Sequence, residues 1–299
     1  MNEMQKLIEE ICMEEDISFH LVSKNWIMIL EKNDKTRLIA GYKFGLNDHA
    51  LGLVCDDKYA MYDVLKNYHL PVAEHYIIFP NYNEEQVEEY AKKYQYHLVV
   101  KPNEGTCGKD TYQVHTKEEL FEKIDKTLKK SYSISISPFY EIKNEYRSII
   151  YKDKIELFYG KQRPIVEGDG EKTIYELLCD FNPKYFEKKK EDENLKRILE
   201  KGEIYEYGWQ HNLSRGAIPF YVEENETKQK IEELALKVAK RLNIKFASID
   251  IIELTNGEIM VLEINSGVMM ENFAKIMENG KEIAKKIYRK AILDLFEEK

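Results

Sequence analysis

The segment 246–265, FASIDIIELTNGEIMVLEIN, carries acidic and amide side chains at a spacing that suits metal binding. Two apolar runs flank Asn256-Gly257, a dipeptide typical of two-residue hairpin turns. A turn at these residues predicts that Asp250 lies directly opposite Glu263 on the paired strand. Asn265 is two residues beyond Glu263, so it shares the same face of the ladder.

Two carboxylates directly opposite each other repel, and the repulsion grows when the strands are buried. A divalent cation would remove the conflict, and carboxylate and amide oxygens are ligands that suit Mg²⁺ or Mn²⁺. Two other arrangements would also remove it: a slipped register, or a Lys or Arg side chain that neutralises the pair. The hairpin by itself leaves these alternatives open.

Composition excludes several classes of protein. The chain has 299 residues, 43% of them hydrophobic and 33% charged, as in an ordinary globular protein. Its 45 basic and 54 acidic residues give a net charge of −9, which argues against nucleic acid as the main partner. We find no apolar run of membrane-spanning length and no signal-peptide core, and the four cysteines lack zinc-like spacing. We therefore expect a cytoplasmic protein with reduced thiols.

The elements that position the chemistry alternate between helices and short strands, which predicts an α+β fold. We expect a short N-terminal region over residues 1–56, a small subdomain over 57–137 and a C-terminal subdomain over 138–299. Helical spacing predicts helices at 3–15, 84–94, 116–130, 226–242 and 279–297. Strand hairpins are predicted to turn within 31–35 and near Asp153, and Thr173 is a predicted N-cap. The charge-dense stretch 184–203 predicts a solvated helix or a flexible insertion.

A glycine-containing loop follows a predicted strand in VVKPNEGTCGKD. Lys101 ends the strand, and Gly105 and Gly108 lie before the next one. Such a loop can direct backbone N–H groups at phosphate oxygens, with the lysine supplying positive charge. It is not a Walker loop, because no helix begins at a Gly-Lys-Ser/Thr sequence. Read alone, a glycine-rich stretch between strands is more often only a turn.

Other polar residues accompany this loop in a characteristic order. Lys58 begins the helix before the small subdomain, Glu145 and Arg147 begin the hairpin near Asp153, and HNLSRGA follows. Each has a simple structural interpretation: a solvated lysine, a surface pair of opposite charges, and a turn closed by side-chain hydrogen bonds. These separate interpretations do not explain why the residues occur in this order along the chain.

That order resembles the ATP-grasp superfamily, and within it the ATP-grasp domain of cyanophycin synthetases and bifunctional glutathione synthetases. The resemblance runs from about residue 36 to 273 and rests on six stretches of sequence: LGLVCDDKYAMYDVLKNYHLPVAEHY, VVKPNEGTCGKD, NEYRSIIYKDKI, RPIVEGDGEKTIYELL, HNLSRGA and the SIDI–LEIN pair. It implies two α+β subdomains that grip ATP between antiparallel sheets, with a short N-terminal α/β region.

The resemblance also implies residue roles. Nucleotide contacts fall on Lys58, Lys101, the loop residues Glu104, Gly105, Thr106, Cys107 and Gly108, the hinge residues Pro138, Phe139 and Tyr140, and Glu145 at the ribose. The Mg²⁺ or Mn²⁺ ligands are Asp250, Glu263 and Asn265. Groups near the phosphates and the reacting carboxylate are Arg163, Asn212 and Arg215. For Cys107 we expect a space-filling role rather than a redox one.

The implied reaction is ATP-dependent joining of a carboxylate to an amine through an acyl phosphate. An ATP-grasp kinase and a non-catalytic nucleotide-binding module are the alternatives. The sequence departs from the family at Pro138, at Gln210 and in NSGVMMENF, the run after Asn265. We expect small-molecule substrates, neither nucleic acid nor membrane as partner, and an acceptor pocket that a second subunit, as in a homodimer, could complete.

Overall fold

The N-terminal region is a helix packed on a three-stranded antiparallel meander. The structure is a computed structural model, and it describes residues 1–105 and 108–297. The elements of this region are α1 (Glu3–Glu14), β1 (Ser18–Val22), β2 (Ile27–Lys32), β3 (Lys35–Ala40) and α2 (His49–Asp56). Asn33 and Asp34 form the turn between β2 and β3, and both have positive φ, as the tightest hairpin turns require. The turn predicted within 31–35 is confirmed.

A second, four-stranded antiparallel sheet follows in the chain. Its elements and the helices around them are α3 (Lys58–Asn67), β4 (Tyr76–Ile78), α4 (Glu84–Lys93), β5 (Leu98–Pro102), β6 (Tyr112–Val114), α5 (Lys117–Leu128) and β7 (Ile134–Pro138). The strand order is β4-β7-β5-β6. Helices α4 and α5 cover one face and close a core of their own, whereas α3 packs against the C-terminal half of the chain.

The C-terminal half is built on a five-stranded antiparallel sheet. Its elements are β8 (Ile142–Tyr151), β9 (Lys154–Gln162), β10 (Ile165–Glu167), α6 (Ile174–Phe181), α7 (Pro183–Phe186), β11 (Ile204–Glu206), β12 (Ile218–Phe220), α8 (Glu226–Arg241), β13 (Phe246–Leu254), β14 (Ile259–Asn265), α9 (Glu271–Ile276) and α10 (Gly280–Phe296). The order in the large sheet is β12-β9-β8-β13-β14. Across the described ranges, none of the helices is both long and apolar enough to cross a membrane.

Alternation along β13 separates the two faces of this sheet. Ala247, Ile249 and Ile251 point into a core shared with α3 and α8. Phe246 belongs to the other core, which α1, β2, β3 and α10 share. Ser248 and Asp250 follow Phe246 at the period of two and so lie on its face. Half of that face is therefore apolar and packed on the N-terminal region, and half is polar.

The β13–β14 hairpin has the predicted pairing at its far end but not at its turn. Asp250 lies opposite Glu263, as predicted. Near the turn, however, Leu254 N–H donates to the Glu258 carbonyl at 2.8 Å, and this pair encloses three loop residues. The loop is thus one residue longer than a two-residue turn. A bulge at Leu262 inserts one extra residue into β14 and restores the predicted register.

The charge-dense stretch 184–203 is neither a solvated helix nor a loose insertion. Phe186, Leu195 and Leu199 are fully buried and pack with residues of α6 and β10 in a small separate core. The prediction was wrong because these apolar residues are few and the abundant Lys and Glu residues dominated the pattern. The N-cap at Thr173 is confirmed, with a capping box to Glu176.

Candidate active site

A cavity of about 450 Å³ lies between the four-stranded sheet, the polar face of the large sheet and the N-terminal region. Most of the residues predicted from the sequence line it: Lys58, Lys101, Gly105, Gly108, Pro138, Phe139, Tyr140, Glu145, Asn212, Asp250, Glu263 and Asn265. Glu104, Arg163 and Arg215 are described but do not line it. Thr106 and Cys107 lie outside the described residues. The volume is typical of a small-molecule site.

Cross-strand pairing sets the polar wall of the cavity. Glu263 pairs with Asp250, Asp250 with Arg147, and Arg147 with Tyr159, so four side chains form one row across β14, β13, β8 and β9. Positions two residues along each strand lie on the same face, and they add Glu145, Lys161, Ser248 and Asn265. We call the whole set the polar face: Glu145, Arg147, Tyr159, Lys161, Ser248, Asp250, Glu263 and Asn265.

Asp250 is held by two cations. Arg147 donates from Nε to Oδ1 at 2.7 Å and from Nη2 to Oδ2 at 2.6 Å, and Lys161 Nζ lies 3.0 Å from Oδ2. Burial alone would raise the pKa of Asp250, but these charges outweigh it and lower the pKa to about 2. Lys161 also donates to Glu145 Oε1 at 2.5 Å. One of the alternatives left open by the sequence, neutralisation by Lys or Arg, therefore occurs at Asp250.

Lys58 and Lys101 bring positive charge to the opposite side of the cavity. Lys58 Nζ donates to the carbonyls of Asn103 at 3.1 Å and Gly105 at 2.7 Å, so it fixes the start of the glycine loop. Burial lowers the pKa of Lys58. Burial, reinforced by the charge of Lys58, lowers the pKa of Lys101 to about 8. Two partly desolvated lysines side by side are suited to a polyanionic ligand.

The end of the glycine loop is held by the segment that contains HNLSR. Arg215 Nη2 donates to the Gly108 carbonyl at 2.7 Å. Gly108 has φ +65°, and a Cβ there would lie 3.3 Å from Asn212 Nδ2 and 3.2 Å from Arg215 Nε. Asn212 also accepts from Ser214 N–H and Oγ, the turn role that its simple interpretation predicted. Arg215 thus acts on the loop rather than lining the cavity.

The hinge segment places aromatic rings at the cavity wall. Phe139 stacks on His97 with ring centroids 4.6 Å apart and meets Trp209 edge-on at 5.5 Å. Tyr140 Oη accepts from Glu74 N–H at 2.9 Å, and this hydrogen bond fixes the Tyr140 ring. Pro138 is the last residue of β7 and has no N–H, so hydrogen bonding by the backbone here depends on its neighbours.

The predicted Mg²⁺ ligands fit the ion in donor chemistry. Glu263 and Asn265 line the cavity on the same face as Asp250, and together they offer carboxylate and amide oxygens. Asp250 would have to share its oxygens with Arg147 and Lys161. Among the described residues, no group of three or more His, Cys, Asp or Glu side chains could hold a metal ion, so the ligand set depends on the amide of Asn265.

Sequence reasoning missed several lining residues and misplaced one. The simple interpretation of Arg147 as half of a surface pair with Glu145 is wrong, because Arg147 pairs with Asp250 inside the cavity. Lys161, Ser248 and Trp26 also line the cavity and were not proposed. Lys161 was detectable: the β8–β9 hairpin places it opposite Glu145. Arg163, by contrast, is ion-paired with Glu206 at 3.0 Å outside the cavity.

Comparison with known proteins identifies the fold. The family model described as a RimK-like ATP-grasp domain matches residues 196–291. Over 246 residues the chain is 24% identical to the alpha-aminoadipate–LysW ligase LysX of Saccharolobus solfataricus, covering 82% of this chain and 73% of that protein. The matched family segment includes β13 and β14, and with them all three predicted metal ligands.

Solved structures with the same fold agree. The bifunctional glutathione synthetase of Pasteurella multocida superposes with a TM-score of 0.56 and 15% identity, over 97% of this chain and 44% of that one. D-alanine–D-alanine ligase of Bacillus anthracis gives a TM-score of 0.54 and 16% identity, over 81% of this chain and 66% of that one. The chain thus spans less than two thirds of either solved protein. These comparisons agree on the fold: the chain has the ATP-grasp fold that its sequence predicted, and its residues 196–291 match the RimK-like ATP-grasp domain.

Proposed function

We propose that this protein joins a carboxylate to an amine at the expense of ATP, acting on an amino acid, a peptide or a related small metabolite. The observation that carries the proposal is a cavity with two lysines on one side and carboxylate and amide oxygens on the other. Lys58 and Lys101 face it from one side, and Glu263 and Asn265 face it from the polar face. In a chain of net charge −9, the positive charge of the two lysines suits the phosphates of a nucleoside triphosphate and a negatively charged transition state.

ATP would lie with its adenine at the hinge and its phosphates under the glycine loop. Phe139 and Tyr140 border the space for the base, and buried Glu145 is the acceptor for the ribose hydroxyls. Lys58 and Lys101 would contact the phosphates. Lys58 already fixes the loop at Gly105, so the loop and the phosphates would be positioned by the same ammonium group.

The proposed reaction has two steps. A substrate carboxylate oxygen attacks the γ-phosphorus, the bond to the β-phosphate oxygen breaks, and ADP leaves. An amine nitrogen then attacks the acyl carbon, inorganic phosphate departs with the C–O bond electrons, and the nitrogen loses a proton. Mg²⁺ held by Asp250, Glu263 and Asn265 would neutralise phosphate charge. Arg147 and Lys161 would hold Asp250 ionised and oriented through both steps.

The decisive experiment uses a carboxylate labelled with ¹⁸O. The protein is incubated with ATP, Mg²⁺ and a panel of amino acids and dipeptides, and ADP and phosphate are measured. We expect ADP release that requires both a carboxylate and an amine, with one ¹⁸O transferred to the released phosphate. The other labelled oxygen stays in the amide product, and released phosphate that carries no ¹⁸O would contradict the acyl phosphate.

Two other outcomes would replace the proposal. Release of ADP with a phosphorylated product and no amine requirement would identify a kinase. Binding of ATP by calorimetry without turnover for any substrate in the panel would identify a non-catalytic module. Glu263→Gln is the negative control for ADP release. It keeps the shape of a residue that lines the cavity but removes the charge of a proposed metal ligand, so it should lower the release.

A further inference from the structure

The N-terminal region contributes its own wall to the cavity. Trp26, which precedes β2, and Tyr42, which follows β3, both line it. Gly41 lies between them in space: its N–H donates to the Trp26 carbonyl at 2.9 Å. We call these three residues the Trp26 corner.

This corner is connected directly to the loop after Asn265. Val268 N–H donates to the Tyr42 carbonyl at 3.1 Å. A Cβ on Gly267 would lie 3.3 Å from Tyr42 Cβ, so the two segments are in van der Waals contact. Gly267 is only two residues beyond Asn265. The corner is therefore adjacent to the predicted metal site, and the segment that joins them is the one where the sequence departs from its family.

The indole of Trp26 is both positioned and open. Its ring lies over Gly41 so closely that a Cβ there would be 2.6 Å from Cη2. The side chain is nevertheless 59% exposed. Among the strongly exposed large apolar side chains of the described residues, Trp26 is the one that lines the cavity. An aromatic ring held at a cavity mouth is a common anchor for a bound apolar group.

The surroundings of the ring indicate the chemistry of that group. Lys43, which follows Tyr42 in the chain and lines the cavity, is ion-paired with Asp56. Apolar lining residues complete the same cavity, namely Ala40, Leu213, Met269 and Phe273. A charged substituent at the ring would find Lys43 and Asp56 already paired with each other, whereas an apolar one would gain from contact with the indole.

We propose that the Trp26 corner selects the non-nucleotide substrate by binding an apolar side chain, so that leucine-like or phenylalanine-like substrates are preferred over alanine-like ones. This inference rests on the proposed ligase function. It also answers how so small an N-terminal region can form a substrate wall: it does so through contact with the loop 266–270 of the same chain.

The test compares kcat/KM for substrates that differ only in side chain. Trp26→Ala should lower kcat/KM for leucine- and phenylalanine-type substrates at least about tenfold relative to the alanine type, since loss of apolar contact is worth factors of this order. The Kd for ATP should stay unchanged. Leu38→Ala is the matched control, because Leu38 is 58% exposed on β3 but does not line the cavity.

Two further variants separate binding from folding. Gly41→Ala keeps the indole but displaces it, and it should reproduce the loss of selectivity. Trp209→Phe leaves Trp26 as the sole tryptophan, since the chain has two. Its fluorescence should change when apolar substrates are added to ATP-saturated protein, and not with alanine analogues.

The outcomes distinguish this inference from the function on which it rests. Equal loss for all substrates in Trp26→Ala would overturn the inference while leaving the ligase proposal intact. Absence of ADP release with any carboxylate and amine would overturn the ligase proposal. In that case the fluorescence titration still decides, and no change with any apolar substrate would overturn the binding role of Trp26 as well.

Discussion

Two walls of the same cavity are built in different ways. The polar face is carried by neighbouring strands, and its charges are paired with one another, as Arg147 and Lys161 are with Asp250. The Trp26 corner is carried by loops and joined to the loop after Asn265 by one backbone hydrogen bond and close packing. The first wall suits a reaction that every substrate shares. The second can vary without disturbing it, which is what selection among substrates requires.

The largest expected effect comes from breaking the polar face at Asp250. Asp250→Asn leaves the buried Arg147 without its anion and Lys161 with Glu145 alone, so we expect a loss of about 3 kcal/mol in the free energy of unfolding. Turnover should fall at least about 100-fold, because a proposed metal ligand is lost as well. Urea unfolding and ADP release measure the two effects.

Glu253→Gln is the control for that result. Glu253 is another buried carboxylate of β13, bound to Lys143, Asn144 and Tyr146 away from the cavity. It should lower stability and leave ADP release intact. An Asp250→Asn protein that turns over like the wild type would contradict the assignment of the polar face to catalysis.

Removal of Lys101 should weaken ATP binding at least about tenfold, since a charged hydrogen-bond donor is lost. In the wild type the pKa of about 8 makes this contact sensitive to pH. Above pH 8 the folded protein gives up the proton, so ATP affinity should fall and binding should be accompanied by proton uptake. Calorimetry in buffers of different ionisation enthalpy measures that uptake. Lys126→Met, an exposed lysine of α5, should change neither quantity.

The ionisation of Lys101 also makes stability depend on pH, in the direction opposite to ATP affinity. Burial lowers the folded-state pKa of Lys101 below its unfolded value, so the cost of burying the charge is full below pH 8. Between pH 8 and about 10.5 the unfolded chain holds more protons than the folded one, and the contribution of Lys101 to stability rises with pH. Wild type and Lys101→Met should therefore differ less in stability as pH increases through this window.

A smaller effect should follow when the loop beside the Trp26 corner is loosened. Tyr288 Oη donates to the Val268 carbonyl and accepts from Met270 N–H, both at 3.0 Å. Tyr288→Phe leaves these buried groups unpaired, at a cost of about 1–3 kcal/mol. We expect the KM of the non-nucleotide substrate to rise several-fold with an unchanged Kd for ATP. Tyr151→Phe, which loses a bond to Lys290 instead, should leave both constants as they are.

The smallest effect tests a region outside both walls. Thr173 caps α6, which belongs to the small core that contains Phe186, Leu195 and Leu199, and Thr173→Ala should cost about 1 kcal/mol of stability. ATP affinity and substrate selectivity should not change. A change in ATP affinity or in substrate selectivity would show that this small core is coupled to the cavity.

Local patterns were sufficient for much of the fold. The α1, α4, α5, α8 and α10 helices lie close to their predicted bounds because each combines apolar periodicity with N- or C-terminal signals. The prediction for the stretch 184–203 failed because Phe186, Leu195 and Leu199 are buried by residues outside the stretch. The number of charged residues carries no information about such partners.

The sequence by itself determined that Glu263 and Asn265 share one face of a strand and that Lys101 lies at a strand end before a glycine loop, since strand alternation is a local property. The predicted pairing of Asp250 with Glu263 holds because the bulge at Leu262 offsets the longer turn. Only the tertiary structure decided that β8 lies beside β13, which brings Arg147 and Lys161 to Asp250. It likewise decided that Tyr42 meets Val268, more than two hundred residues away in the chain. These contacts depend on which strands and loops become neighbours when the whole core is buried, and no short pattern encodes that choice.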